Sequence, residues 1–146
     1  MNVDIISVGK KHEKSYDLLI QEYQKRMQQG LKVSWHLIKP SDVKTESEKI
    51  ISTIQNYDYA ILLDERGQVV SSNAFSKQIY THLESSKKLC FIIGGAFGVS
   101  EELYNKVDYV LSLGKMVFPH QMVRLMLIEQ VYRAFEIKKG SKYHHQ

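Results

Sequence analysis

The sequence predicts an α/β fold, with a mostly parallel sheet covered by helices on both faces. Five short runs rich in β-branched and aromatic residues alternate with longer amphipathic segments. The fourth run, KLCFIIG at 88–94, is apolar almost throughout, as in a strand with no solvent face. No repeat, low-complexity segment or Pro/Gly/Ser-rich linker breaks the alternation, so residues 1–146 are expected to form a single domain.

NVDIISV (2–8) reads as the first strand, SYDLLIQEYQKRMQQ (15–29) as a helix closed by Gly30, and LKVSWHLI (31–38) as the second strand. KTESEKIISTIQN (44–56) has helical spacing, and YAILLD (59–64) is the third strand, ended by the turn ERGQ. Ser72 is placed to cap a helix through about Ser85, ahead of the strand at 88–94. Ser100, followed by Glu101 and Glu102, starts a short helix; DYVLSLG (108–114) is the last strand, and Pro119 opens the final helix.

At 146 residues the chain can bury a core without disulfide or metal staples. No stretch approaches the roughly 20 apolar residues of a membrane span, so a cytoplasmic protein with no membrane partner is expected. The single cysteine, Cys90, lies within the apolar run and reads as a small buried hydrophobe. A net charge of +4 tolerates a polyanionic partner without demanding one. The basic end KKGSKYHHQ (138–146) is either a solvated tail or a flexible arm that meets phosphates. His12, His36, His82 and His120 are scattered, and neither C-x-x-C, H-E-x-x-H nor G-x-S-x-G occurs, so no metal site is expected.

Ligands of open α/β sheets bind beyond the carboxyl ends of strands, and three such ends stand out. At ILLDERG, Leu63 and Asp64 end a strand and Gly67 permits a turn; a surface acid in a plain turn is the competing reading. At IIGGAFGVSEE (92–102), Gly94, Gly95 and Gly98 allow close backbone approach to a ligand, or simply a tight turn, and match neither the dinucleotide fingerprint nor a P-loop. At LSLGKMVFPH (111–120), a loop bearing Met116 and Phe118 would suit an adenine ring, with core packing of both side chains as the alternative.

Placed at 100° steps, the last helix is apolar on nearly every side, which implies a second subunit to cover it. Arg124 falls among apolar neighbours and needs an acid, a carbonyl or a ligand as partner. Glu129 and Arg133 are spaced as a helical ion pair, either exposed or at the mouth of a ligand site.

The runs ISVGK, IIGGAFG and LSLGKMVFPHQMVRLMLIEQVYRAFEIKKGSKYHH resemble the RlmH family of SPOUT methyltransferases across essentially the whole chain, most specifically in the C-terminal third. The resemblance implies an α/β knot (a C-terminal trefoil knot), a homodimer, and methylation of N3 of pseudouridine 1915 in 23S ribosomal RNA within the ribosome. It implies S-adenosyl-L-methionine as methyl donor, contacting Leu63, Gly94, Leu113, Gly114, Lys115, Met116, Val117 and Phe118. Glu129, Arg133, Tyr143 and His144 map to the RNA-facing and catalytic positions, which turns the tail toward a functional arm. Gly114 departs from the serine expected there, which puts side-chain hydrogen bonding at that point in doubt. On this reading Arg133, with Arg124, favours the N3 anion; Glu129 orients Arg133 or takes the proton, with His144 as the other candidate base. Lys10, Lys11, Lys138 and Lys139 are expected to make salt-sensitive RNA contacts. The rivals are a SPOUT enzyme acting on transfer RNA and a ribosome-binding module without enzymatic activity.

Overall fold

The computed structural model describes residues 1–145. Among these described residues five strands and five helices alternate: β1 (Asn2–Val8), α1 (Lys14–Met27), β2 (Lys32–Ile38), α2 (Val43–Ile54), β3 (Tyr59–Val69), α3 (Ser72–Glu84), β4 (Leu89–Ile93), α4 (Glu101–Lys106), β5 (Tyr109–Ser112) and α5 (His120–Lys139). The strands form one sheet in the order β2-β1-β4-β3-β5, with every neighbouring pair parallel.

Strand alternation sorts side chains into two cores. Val3, Ile5, Ile61, Leu89, Phe91 and Leu111 point to the face covered by α1, α3 and α5. Ile6, Val8, Leu62, Cys90 and Ile92 point to the face covered by α2 and α4. Central β4 is buried at all of its positions, the physical reason for its unbroken apolar run. Cys90 is buried, and desolvation pushes its thiol up to about 12, so it packs as a hydrophobe.

Three local expectations need correction. The glycine after α1 is not its cap, since Gln28 ends the helix; a Cβ on Gly30 would lie 2.8 Å from Phe135 Cε2, so the residue is small to admit α5. Ser71, not Ser72, caps α3 by accepting from the Ala74 N–H at 3.1 Å, which frees Ser72 Oγ to donate to Gln130 Oε1 of α5 at 2.8 Å. The third strand does not end at Asp64: after an irregularity between Leu63 and Gln68 it resumes pairing with β5 and runs to Val69. Gly67 therefore serves close approach, because a Cβ there would sit 2.5 Å from the Val110 carbonyl oxygen.

The all-round apolarity of α5 is answered largely within the chain. The helix packs against both α1 and α3 and buries Leu127, Ile128, Val131, Ala134 and Phe135. What this cover leaves is a stripe at Met122, Met126, Glu129 and Arg133, spaced along one side and exposed or half-buried.

Candidate active site

At the carboxyl ends of the parallel strands, the β3 irregularity, the loop after β4 and the segment leading into α5 enclose a cleft of about 860 Å³. Leu63, Gly94, Val117 and Phe118 line it, and a recess of about 80 Å³ beside it adds Leu113, Gly114 and Met116. Lys115 is exposed and lines neither cavity. Seven of the eight residues to which the resemblance assigns the donor thus line one continuous stretch of surface.

Each wall has a local cause. The glycine loop is both tight turn and cleft wall: a Cβ on Gly94 would meet Val99 Cγ1 at 2.7 Å, and the Gly98 N–H donates to the Gly95 carbonyl at 3.1 Å. Ser100 ends it by capping α4, accepting from the Leu103 N–H at 3.1 Å. Beyond β5, Ser112 Oγ accepts from the Gly114 N–H at 3.1 Å and donates to the Gly114 carbonyl at 2.8 Å. Gly114 has φ +148°, where any side chain is strained, so glycine instead of serine follows from the backbone path. Core packing does not hold for Met116, which is 76% exposed, whereas Phe118 is half-buried.

Asp64 is more than a surface acid. Arg66 Nε and Nη2 donate to its two oxygens at 2.9 and 3.0 Å, and the Arg66 N–H adds a third bond at 2.9 Å. Burial opposes ionisation of Asp64, but the bonds from Arg66 outweigh it and hold the carboxyl below its ordinary range. The guanidinium lies 4.3 Å from the Tyr104 ring centroid and 3.6 Å from Glu101, so a charged rim borders the cleft. The only sequence hint of this clamp was the close spacing of Asp64 and Arg66.

Arg124 is wholly buried, and its guanidinium is committed to groups of its own chain rather than presented at the surface. Its Nε donates to Ser7 Oγ at 2.8 Å; its Nη1 donates to the Lys10 carbonyl at 2.8 Å and to His12 Nδ1 at 3.2 Å; Nη2 reaches the Val8 carbonyl at 3.4 Å. The carbonyl alternative is thus the one realised, joined by a hydroxyl and an imidazole. With Gln121 Oε1 accepting from the Glu13 N–H at 3.1 Å, these bonds fasten the start of α5 to the β1–α1 loop. His120, at the start of the same helix, lines the cleft and has no role assigned by the sequence.

The four residues matched to the catalytic positions come together elsewhere. Arg133 Nε and Nη2 donate to Glu129 Oε1 at 2.9 and 2.6 Å, the Tyr143 hydroxyl donates to the same oxygen at 3.3 Å, and Gln130 Nε2 donates to Oε2 at 3.0 Å. Arg133 Nη1 donates to His144 Nδ1 at 3.0 Å, which leaves the ring hydrogen on Nε2. The ion pair is neither fully exposed nor sealed, with side chains 25% and 19% accessible. Hydrogen bonding to Glu129 raises the Arg133 pKa, and burial followed by the Glu129 charge pushes the Tyr143 phenol up to about 12. Gly140, left-handed at φ +74°, ends α5 and turns the tail back so that Tyr143 packs edge-on against Tyr132 at 4.9 Å. The tail is therefore docked on its own helix. Lys138 and Lys139 are paired with Glu84 and Glu136, at 3.0 and 3.9 Å, while Lys10 and Lys11 are exposed.

None of Glu129, Arg133, Tyr143 and His144 lines the cleft. Glu129 instead borders a separate, largely apolar cavity of about 430 Å³ that shares Leu113 with the recess.

A parallel α/β sheet with a glycine-walled cleft at its carboxyl end, and a separate polar cluster on the last helix, has the architecture of α/β proteins that take small ligands beyond their strand ends. Residues 1–144 match the family described as "Predicted SPOUT methyltransferase". The chain belongs to this SPOUT family. It is 41% identical to a "Ribosomal RNA large subunit methyltransferase H" of Christiangramia forsetii and 42% identical to that of Flavobacterium psychrophilum, each alignment covering 100% of both chains. A Clostridium botulinum protein of the same name is 39% identical over 99% of each chain. Among solved structures, a probable methylase family protein from Haemophilus influenzae aligns with TM-score 0.65 at 15% identity, covering 99% of this chain and 70% of that one, a likeness of fold.

Proposed function

We propose that this protein methylates N3 of pseudouridine 1915 in 23S ribosomal RNA, using S-adenosyl-L-methionine, on the ribosome and in the cytoplasm. The convergence of Leu63, Gly94 and all of the 113–118 loop but Lys115 on the cleft and its adjoining recess carries the reading, together with full-length similarity to relatives named for methylating large-subunit ribosomal RNA. The cleft suits such a donor, because apolar Leu63, Val117 and Phe118 can flank an adenine ring while the glycine loop offers backbone polar groups. Bound there, the donor supplies a methyl carbon on a positively charged sulfur.

The chain's residues then hold the acceptor nitrogen in line and favour loss of its proton. Arg133 is suited to stabilise the N3 anion, since its guanidinium is fixed by Glu129 and half-open to solvent. Glu129 already accepts bonds from Arg133, Tyr143 and Gln130, which favours orientation of Arg133 over proton abstraction. His144 can serve as base only after its Nδ1, the ring's one free lone pair, leaves Arg133.

The reading includes a homodimer and a C-terminal trefoil knot. Two observations support the second protomer: the uncovered stripe on α5, and a catalytic cluster that borders no part of its own chain's cleft. The experiment is labelled methyl transfer to ribosomes that lack the modification, with and without prior pseudouridylation. Incorporation only after pseudouridylation supports the proposal. Incorporation into transfer RNA alone moves the chain to the first rival, and absence of binding heat with S-adenosyl-L-methionine moves it to the non-enzymatic module.

A further inference from the structure

The glycine loop is gripped from behind by residues that do not line the cleft. Gly95 faces α2: a Cβ there would lie 2.8 Å from Glu46 Oε1, 3.3 Å from Glu46 Oε2 and 3.1 Å from Val8 Cγ1. At the far end of the loop, the Ser100 N–H donates to Ser47 Oγ at 2.9 Å. Glu46 and Ser47 are 6% and 1% exposed. The Glu46 carboxylate is itself held, because Oε2 accepts from the Ser41 N–H at 2.8 Å. Asp42 caps α2 by accepting from the Thr45 N–H at 2.8 Å, and the Glu46 bond to Ser41 closes the same turn, so helix formation accounts for that bond but not for the contact of Glu46 with Gly95. Burying a carboxylate costs free energy unless its contacts offset it, and here its contacts are the β2–α2 turn and the cleft wall. Between the two anchors, Ala96, Phe97 and Gly98 are exposed.

We propose that Glu46 and Ser47 are positioning residues for the methyl donor: the first turn of α2 fixes both ends of the glycine loop, and so sets the shape of the donor cleft. The inference rests on the donor reading given above. Glu46 acts through shape and through its bond to Ser41, packed flush on Gly95; Ser47 acts through the Ser100 amide. Neither touches the acceptor, so loosening either one weakens donor binding and leaves the chemical step intact.

The test compares wild type with Ser47→Ala, Glu46→Ala, Glu46→Gln and Gly95→Ala. It measures calorimetric affinity for S-adenosyl-L-methionine and S-adenosylhomocysteine, steady-state kinetics on unmodified ribosomes, and hydrogen exchange of the loop amides. Ser47→Ala and Glu46→Ala are each expected to weaken both ligands about fivefold and to raise donor KM alike, the effect of one lost hydrogen bond. With donor saturating, kcat and ribosome KM stay at wild-type values. Glu46→Gln keeps an acceptor for Ser41 and the same bulk, so it stays within about twofold of wild type. Gly95→Ala is more damaging, and combining it with Glu46→Ala costs less than the sum of the two because the clash is relieved. Loop amides exchange faster in Ser47→Ala and Glu46→Ala than in wild type. Unchanged donor affinity in both variants overturns the inference, as does loss of kcat and ribosome KM in step with donor affinity. If Glu46→Ala fails to fold, Ser47→Ala decides alone by the same readouts. A wild type that takes up neither ligand overturns the donor reading and this role with it, an outcome distinct from a binding wild type matched by its variants.

Discussion

Arg124 and Arg133 project from the same helix, yet the first meets only neutral oxygen and nitrogen atoms, whereas the second is paired with the carboxylate of Glu129. Arg124 has no exposure and a pKa lowered by desolvation, while Arg133 is half-buried with a pKa raised by its hydrogen bond to Glu129. Charge on a mostly apolar helix therefore serves two purposes. One guanidinium ties the entry of α5 to the β1–α1 loop; the other is oriented by a carboxylate and within reach of solvent. The contrast teaches that one arginine is committed to neutral groups in the interior, whereas the other, held by a carboxylate and partly open to solvent, is the one that the proposed reaction can use.

Replacing Arg124 with Met is expected to have the largest effect. It strands the Ser7 hydroxyl and the Lys10 carbonyl and should cost about 3 kcal/mol, read as a lower urea midpoint. Arg133→Ala should lower methyl transfer to ribosomes about 100-fold while changing stability by less than about 1 kcal/mol; equal damage to stability and rate would erase the contrast. Glu129→Gln, which keeps an acceptor for Arg133, should slow turnover at saturating substrate by less than about tenfold, and a much larger loss would restore Glu129 as the base.

The smallest effect concerns His12, whose Nδ1 accepts from Arg124. Desolvation, then the Arg124 charge, lowers its pKa below 6.5, against a weaker raising effect of Asp17. The unfolded chain therefore takes up this proton first. The stabilisation is fully present above pH 6.5 and is lost as pH falls from 6.5 through the depressed folded value. Melting temperature should drop over that window in wild type and drop less in His12→Asn. The same drop in both proteins would remove His12 from the Arg124 network.

Much of this molecule was legible in one dimension. The strand–helix alternation, the Ser100 cap and the glycine-rich turn each depend on residues a few positions apart, so periodicity and turn chemistry reveal them. The C-terminal motif indicated the family and the residues that meet around Glu129. The misreadings came where a distant segment overruled a local signal: β3 continued past Asp64 because β5 offered pairing to Gln68 and Val69, and Gly30 yielded to Phe135 from α5.

By itself, then, the sequence determined the parallel α/β class, the kinship and which strand ends form a cleft, because these follow from local spacing and from motifs that survive in order. Only the tertiary structure decided what Arg124 bonds to, 114 and 117 residues away in Lys10 and Ser7, and that Glu46 and Ser47 back the loop at Gly95 and Ser100. Such partners are chosen by the packing of separate elements against one sheet, and contact between residues far apart along the chain leaves no periodic trace in either segment.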